Sequence, residues 1–141
     1  MKKVAIKQIS VFLENTTGRL GEVTGTLAEA RINIRAISIA DTAEFGILRL
    51  IVNDQEEALK ALNAKGFTTR VTDVAAVEID DYPGSLAKVM ELFQNLKINI
   101  EYLYSSLEGR TGKAVVIFKL EDHQRGLQII KENNLPTVES F

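Results

Sequence analysis

Several residue types are scarce or missing in this chain of 141 residues. It has no Cys and no Trp, and it has one His and two Pro. Without Cys there is neither a disulfide framework nor a thiolate nucleophile, and a lone His123 leaves little for a metal site or a Ser/His pair. We therefore expect no catalytic residues and no metal or cofactor, and we take the cytoplasm as the default location.

Long apolar runs and a strong charge of one sign are also missing. No stretch approaches the roughly 20 apolar residues that cross a bilayer. Lys7 and Gln8 break the apolar run after the basic start, which argues against a secretory signal. The formal net charge is -2, and no basic face is apparent. We expect neither membrane nor nucleic acid as a partner, which leaves small molecules and proteins.

One phrase of about twenty residues occurs twice. The stretch "NTTGRLGEVTGTLAEARINI" begins at Asn15, and "DYPGSLAKVMELFQNLKINI" begins at Asp81. Gly18 matches Gly84 and Asn33 matches Asn99, each 66 positions apart (84-18 and 99-33). This indicates duplication of a supersecondary unit, which we place at residues 1–71 and 72–141. Units of this size bury too little surface to be stable alone, so the two should need each other.

Within each copy the apolar period changes in a fixed order. Ile9, Val11 and Leu13 alternate as a strand does, and the stretch 86–96 has apolar residues at helical spacing. Further along the first copy come alternation after Asn33, a turn around Asp41 to Phe45 and the apolar run "GILRLIV". A second helix follows, capped by Asp54 and ended by Gly66, and then the strand "FTTRV".

The resulting order is β-α-β-β-α-β in each copy. It predicts an α+β fold of two tandem ferredoxin-like units, whose antiparallel sheets are joined side by side with the helices on one face. No Gly-rich or Pro-rich linker separates the copies, which predicts close packing of the two units.

The repeated loop has two interpretations. A sharp turn from a strand into a helix requires residues such as Gly18 and Gly84, so the repeat could record topology alone. Alternatively, a Gly-containing loop that opens a helix presents backbone N–H groups at the positive end of the helix dipole, and these suit a carboxylate. An Asn after the helix can donate and accept at once.

At these residues the chain resembles the ACT domain, over essentially its whole length and as two tandem copies. The resemblance rests on "N-x-x-G-x-L" at Asn15, "D-x-P-G-x-L" at Asp81, and the "N-I" fifteen residues after each Gly. It implies a regulatory module that binds an amino acid where two units meet, held by the loop of one unit and the Asn of the other. The first site would use Asn15, Thr17, Gly18, Arg19 and Leu20 with Asn99, and the second would use Asp81, Pro83, Gly84, Ser85 and Leu86 with Asn33.

The two loops have diverged in ways that should affect binding. Asn15 can donate and accept, whereas an ionised Asp81 only accepts and favours an ammonium group over a carboxylate. Thr17 stands where the family commonly has Pro. With Arg19 and a freer backbone, the first loop is predicted to be the better site.

The sequence thus predicts a non-catalytic sensor or regulatory protein that binds an amino acid. It is expected to form a homodimer, and an enzyme of amino-acid metabolism is a candidate partner. One alternative is a structural or regulatory subunit that assembles with such an enzyme without binding a ligand itself. A small enzyme on the same scaffold is a further alternative, which the lone His and the lack of converging carboxylates disfavour.

Overall fold

The computed structural model describes residues 5–41, 44–107 and 110–138. The turn predicted around Asp41 to Phe45 includes residues 42–43, which lie outside this part, as do both ends of the chain. Among the helices described, none has the length and apolar character needed to cross a membrane.

The first copy of the repeat forms six elements in the predicted order. They are β1 (Ala5–Glu14), α1 (Arg19–Glu29), β2 (Ile34–Asp41), β3 (Phe45–Val52), α2 (Gln55–Ala64) and β4 (Thr68–Asp80). β3 pairs antiparallel with both β1 and β2, which gives the order β2-β3-β1.

The second copy repeats this pattern and shares β4 as its first strand. Its other elements are α3 (Ser85–Asn95), β5 (Ile100–Ser105), β6 (Lys113–Leu120) and α4 (His123–Glu132). β6 pairs antiparallel with β4 and β5. Near the end of the described residues, Thr137 forms a single antiparallel bridge to Val77. The predicted ferredoxin-like fold class is confirmed.

The chain divides into two compact units, with the boundary inside β4. Of the described residues, 7–41 and 44–72 form the first unit, and 73–107 and 110–138, together with 5–6, form the second. β4 is 13 residues long because one uninterrupted strand ends the first copy and begins the second.

Alternate residues of β1 and β3 face the two helices of the first unit. Ile9 lies opposite Leu50, and Val11 lies opposite Leu48. All four are almost fully buried in one apolar cluster, and full burial of each such side chain contributes about 1.5–3 kcal/mol. The helices add Val23 and Leu27 from α1 and Ala58 and Leu62 from α2.

The second unit has an equivalent core around two aromatic rings. Phe93 of α3 and Phe118 of β6 are fully buried, with ring centroids 5.6 Å apart and planes tilted by 57°, a favourable geometry for aromatic pairs. The apolar stripe predicted for the helix after Gly84 supplies this core, since Val89 and Phe93 are both buried in it.

The four described helices all end in the same hydrogen-bonded turn. At the end of α1, the Ile32 N–H donates to the Leu27 carbonyl (2.9 Å) and the Arg31 N–H donates to the Ala28 carbonyl (3.0 Å), which is the Schellman pattern. This turn requires a left-handed residue. The residues with positive φ at these ends are Arg31 (59°), Gly66 (84°), Lys97 (57°) and Asn134 (54°).

Candidate functional site

The two repeated loops have the same backbone conformation. Gly18 (φ 91°, ψ -15°) and Gly84 (φ 93°, ψ -11°) occupy the N-cap positions of α1 and α3 in the left-handed region. A Cβ atom at either position would meet no other atom within 4 Å. The backbone angle, and not lack of space, therefore makes Gly the suitable residue at both sites.

Matching backbone hydrogen bonds hold the two loops in place. In the first loop, the Asn15 N–H donates to the Glu44 carbonyl (2.8 Å), and the Arg19 N–H donates weakly to the Thr16 carbonyl (3.4 Å). In the second loop, the Asp81 N–H donates to the Gly112 carbonyl (2.9 Å) and the Ser85 N–H donates to the Tyr82 carbonyl (3.2 Å). The duplication has thus preserved the turn and also its attachment to the neighbouring hairpin.

Beside the second loop, two ion pairs join β4 to the first residue of β6 and to the turn that precedes it. Glu78 accepts two hydrogen bonds from Arg110, at 2.5 and 3.3 Å, and Asp80 pairs with Lys113. The hydrogen bond and charge of Glu78 raise the pKa of the Arg110 guanidinium. Lys113 directly follows Gly112, whose carbonyl holds the second loop.

The helices that follow these loops lack a side-chain cap. Their N-cap residues, Gly18 and Gly84, have no side chain that could accept a hydrogen bond from the first turn. At α2 and α4, by contrast, Asp54 accepts from the Glu57 N–H (3.2 Å) and Asp122 accepts from the Arg125 N–H (3.1 Å). The Arg19 and Ser85 N–H groups already donate to loop carbonyls, but the next N–H groups of α1 and α3 have no partner within the helix and can bind an anion or water.

The two predicted Asn residues also occupy equivalent positions. Asn33 follows α1 and Asn99 follows α3, each two residues after the left-handed residue. Their carbonyls accept from the Asn53 N–H (3.2 Å) and the Glu121 N–H (3.0 Å). Both Asn residues are exposed, and their side-chain amides make no protein hydrogen bond within the described residues. The backbone is fixed, and the amide side chain is available to a ligand.

Within one unit, the structure does not bring the Asn to the loop. Gly18 and Asn33 lie at opposite ends of α1, a helix of 11 residues and therefore about 16 Å long. Gly84 and Asn99 are likewise separated by the 11 residues of α3. A ligand the size of an amino acid therefore does not reach the loop and the Asn of the same unit together.

The residues around the first loop are already engaged with one another. The guanidinium of Arg19 pairs with the Glu22 carboxylate (2.6 Å) and lies 4.9 Å from the centre of the Phe67 ring. Leu20 is 43% exposed, whereas its counterpart Leu86 packs against the second core. Loop residues Asn15, Thr17 and Gly18 are exposed.

The second loop presents different chemistry. Asp81, Pro83 and Gly84 are exposed, and Ser85 is buried where the first copy has Arg19. Lys88, which stands where the first copy has Glu22, donates to the Tyr82 hydroxyl (3.2 Å). Tyr82 and Lys88 were not predicted from the sequence, because only the three-dimensional turn places the ring beside the ammonium group.

The described residues contain no group of three His, Asp or Glu side chains that could hold a metal ion. What the two loops offer instead is backbone N–H groups, exposed amides and single charges. Such groups bind small polar molecules, and they bind carboxylates in particular.

The model of the family described as an ACT domain pair matches residues 4–140. A solved structure of a protein from Bacteroides thetaiotaomicron is 38% identical, with coverage of 96% of this chain and 92% of that chain and a TM-score of 0.90.

The regulatory subunits of aspartate kinase from two Thermus species are more distant. The subunit from Thermus thermophilus is 20% identical, covering 94% of both chains with a TM-score of 0.67. That from Thermus flavus is also 20% identical, covering 93% of this chain and 97% of that one with a TM-score of 0.61. Comparison with curated proteins gives no significant match.

Proposed function

Because this chain belongs to the ACT domain pair family, we propose that it binds an amino acid and acts as a non-catalytic regulatory protein of amino-acid metabolism. The proposed ligand contacts are the loop residues Asn15–Leu20 and Asp81–Leu86, together with Asn33 and Asn99. The regulatory part of the proposal draws on the aspartate kinase regulatory subunits, whose fold this chain shares.

One observation carries the proposal: α1 and α3 both begin at a left-handed Gly without a side-chain cap, while α2 and α4 each have an Asp cap. A Gly in the N-cap position costs the helix only about a few tenths of a kcal/mol relative to Asp, and it leaves the N-terminus of α1 and of α3 open to a ligand. An amino-acid carboxylate can accept hydrogen bonds from the free N–H groups, assisted by the helix dipole.

The exposed amides of Asn33 and Asn99 complement such a site. An amide oxygen accepts from the ligand ammonium, and the amide N–H₂ donates to the carboxylate. The ACT resemblance assigns Asn99 to the first loop and Asn33 to the second, and this pairing stays a prediction. The distance along α1 and α3 within each unit is consistent with it.

We propose the first loop as the better site. Ionised Asp81 in the second loop repels a carboxylate, whereas Asn15 in the first loop is neutral. Arg19 can add a positive charge if the ligand displaces Glu22 from its guanidinium. Such a displacement would favour ligands with an anionic side chain.

The test is a thermal-shift screen of the purified protein against the twenty amino acids, followed by calorimetry on each ligand that binds. A ligand at one hundred times its dissociation constant stabilises by about 2.7 kcal/mol. Asn99→Ala should weaken binding at least tenfold without changing the melting temperature of the free protein, because its side chain makes no protein hydrogen bond. Asn95→Ala, an equally exposed change at the end of α3, serves as the control.

Two outcomes would contradict the proposal. Unchanged affinity in Asn99→Ala and Asn15→Ala together would remove the predicted site. No thermal shift with any amino acid, combined with co-purification of an enzyme of amino-acid metabolism, would support the assembly-subunit alternative instead.

A further inference from the structure

The turns that end α1 and α3 each contain a basic residue in a left-handed conformation. Arg31 has a φ of 59° and Lys97 has a φ of 57°. The two residues are equivalent, 66 positions apart (97-31), and each lies two positions before an exposed Asn. We call the pairs Arg31–Asn33 and Lys97–Asn99 the basic turns.

The left-handed angle is unfavourable for a residue with a Cβ atom. At the equivalent position after α2 and α4 the chain has Gly66 and Asn134, the two residue types that adopt this angle most readily. The chain therefore has a favourable residue at two helix ends and an unfavourable one at the other two. The unfavourable residues are the ones that precede Asn33 and Asn99, the side chains proposed above as ligand contacts.

The helix dipole does not explain the left-handed cations. A basic side chain near a helix C-terminus interacts favourably with the dipole, but it can do so from an ordinary helical angle. Lys131 lies in the last turn of α4, and Lys65 is the C-cap residue of α2 with a φ of -87°. A cation at such a position in α1 or α3 would interact with the dipole equally well, without the left-handed angle.

The positive charge is retained although other charges have reversed between the two copies. Glu22 of the first copy corresponds to Lys88 of the second, and Arg35 corresponds to Glu101. The left-handed position of the basic turn, by contrast, is positive in both copies. This favours a role for the charge itself.

Both cations are accessible to a ligand. Arg31 and Lys97 are exposed, and within the described residues neither forms an ion pair or a side-chain hydrogen bond. The residue between each cation and its Asn, Ile32 or Ile98, is buried in the core of its unit. The cation and the amide therefore share one short exposed turn, with Cα atoms at most about 7 Å apart.

We propose that the basic turns select acidic amino acids, and that Arg31 and Lys97 bind the side-chain carboxylate of the ligand. The proposed function is the premise, since there the loop N–H groups bind the α-carboxylate and the Asn amide oxygen binds the ammonium. A second carboxylate on the ligand then pairs with the cation of the basic turn. Asparagine and glutamine leave this cation without a partner.

The test is isothermal titration calorimetry of the full chain with aspartate and glutamate, each compared with its neutral isostere asparagine or glutamine. The acidic ligand should bind at least tenfold more tightly, because hydrogen bonds between charged groups are the strong ones. The double variant Arg31→Gln/Lys97→Gln should reduce this preference at least fivefold, and Arg31→Lys/Lys97→Arg, which keeps both charges, should retain it. Lys65→Gln/Lys131→Gln is the matched control, since it removes two cations from the ends of α2 and α4.

Thermal unfolding distinguishes a ligand contact from a structural role. Gly removes the unfavourable angle, so Arg31→Gly and Lys97→Gly should each raise the melting temperature of the free protein by about 2–4 °C. The same variants should lose preference for the acidic ligand. A purely structural role predicts a lower melting temperature and an unchanged preference.

Three results would overturn the role of the basic turns. The first is equal affinity for acidic ligands and their isosteres in the wild-type protein, and the second is a preference that survives in full in the Gln double variant, which would assign it to Arg19. The third is a lower melting temperature of both Gly variants with the preference unchanged. In each case, loss of binding in Asn99→Ala would still support the proposed function, whereas no binding of any amino acid would contradict both.

Discussion

At the scale of single residues, Gly18 and Gly84 decide how each copy presents its loop. Both have φ near 90° and open space where a Cβ atom would lie. The same α1 contains Gly21 and Gly25, which have ordinary helical angles and equally open surroundings. Gly18 is therefore needed for its backbone angle, whereas Gly21 and Gly25 are not, and replacement by Ala can distinguish the two cases.

We predict that Gly18→Ala destabilises the protein by about 1–2 kcal/mol, because a left-handed angle is unfavourable for Ala. Gly21→Ala should instead stabilise it by about 0.5–1 kcal/mol, since Ala is the better residue inside a helix. Thermal and urea unfolding of both variants provide the measurement. Equal effects of the two changes would contradict the role assigned to the backbone angle at Gly18.

Two other left-handed residues, Arg31 and Lys97, carry side chains that do not favour this conformation. They occupy equivalent positions at the ends of α1 and α3, and each precedes the predicted Asn by two residues. The hydrogen bonds of the helix-ending turn offset the unfavourable angle. Gly66 was predicted to end its helix because Gly favours this angle, but a basic residue at the same position carries no such signal.

At the scale of elements, the four helices differ mainly at their N-termini. α2 and α4 begin with Asp caps, which serve stability, while α1 and α3 begin at the repeated Gly loops. The difference was partly visible in the sequence, because Asp54 could be assigned as a cap. That α1 and α3 lack any side-chain cap followed only from the structure.

Asp54→Ala should lower the free energy of unfolding by about 1 kcal/mol, because it removes the acceptor of the Glu57 N–H at the start of α2. Asp54→Asn is the control and should be nearly neutral, since Asn caps equally well. Denaturant unfolding followed by circular dichroism measures both changes. A loss as large in Asn as in Ala would show that charge, and not the hydrogen bond, is responsible.

At the scale of the whole molecule, two compact units are built from one repeat. Among the described residues of its own unit, β2 pairs only with β3, and β5 pairs only with β6. An outer strand of this kind presents unpaired backbone groups that can pair with another chain. Both strands carry an exposed apolar residue, Ile39 at 49% and Leu103 at 39%.

We predict a homodimer, with twice the 15.6 kDa of the chain, formed through β2. Ile39→Lys places a charge on this strand and should convert the dimer to a monomer, while Leu103→Lys on β5 should leave it intact. Light scattering after size-exclusion chromatography gives the masses. A monomeric wild-type chain would contradict the dimer, and dissociation by Leu103→Lys alone would move the interface to β5.

Much of the fold could be predicted because its determinants are local. The alternation of Ile9, Val11 and Leu13 and the helical spacing of Val89 and Phe93 directly reflect the two regular backbones. The repeat then strengthened the predicted order of helices and strands, since the same order was found in both copies. The candidate loop was found for the same reason, as its turn residues are adjacent in sequence.

The chemistry around the loops could be predicted less well, because it depends on residues far apart in the chain. Arg19 was predicted to offer its charge to a ligand, yet it pairs with Glu22 and lies over Phe67, 48 residues later. The Asn15 N–H donates to the carbonyl of Glu44, a residue that comes after α1 and β2 in the chain. No local pattern encodes such contacts.

The sequence by itself therefore determined the duplicated β-α-β-β-α-β order and the positions of Gly18 and Gly84, since periodicity and backbone angle are properties of short segments. Only the tertiary structure decided which charges are engaged and where a cavity opens. Gly25 of α1 lines one cavity with Lys65 and Phe67, which lie about 40 residues later in the chain, and this proximity arises from packing of the core rather than from any neighbouring residue.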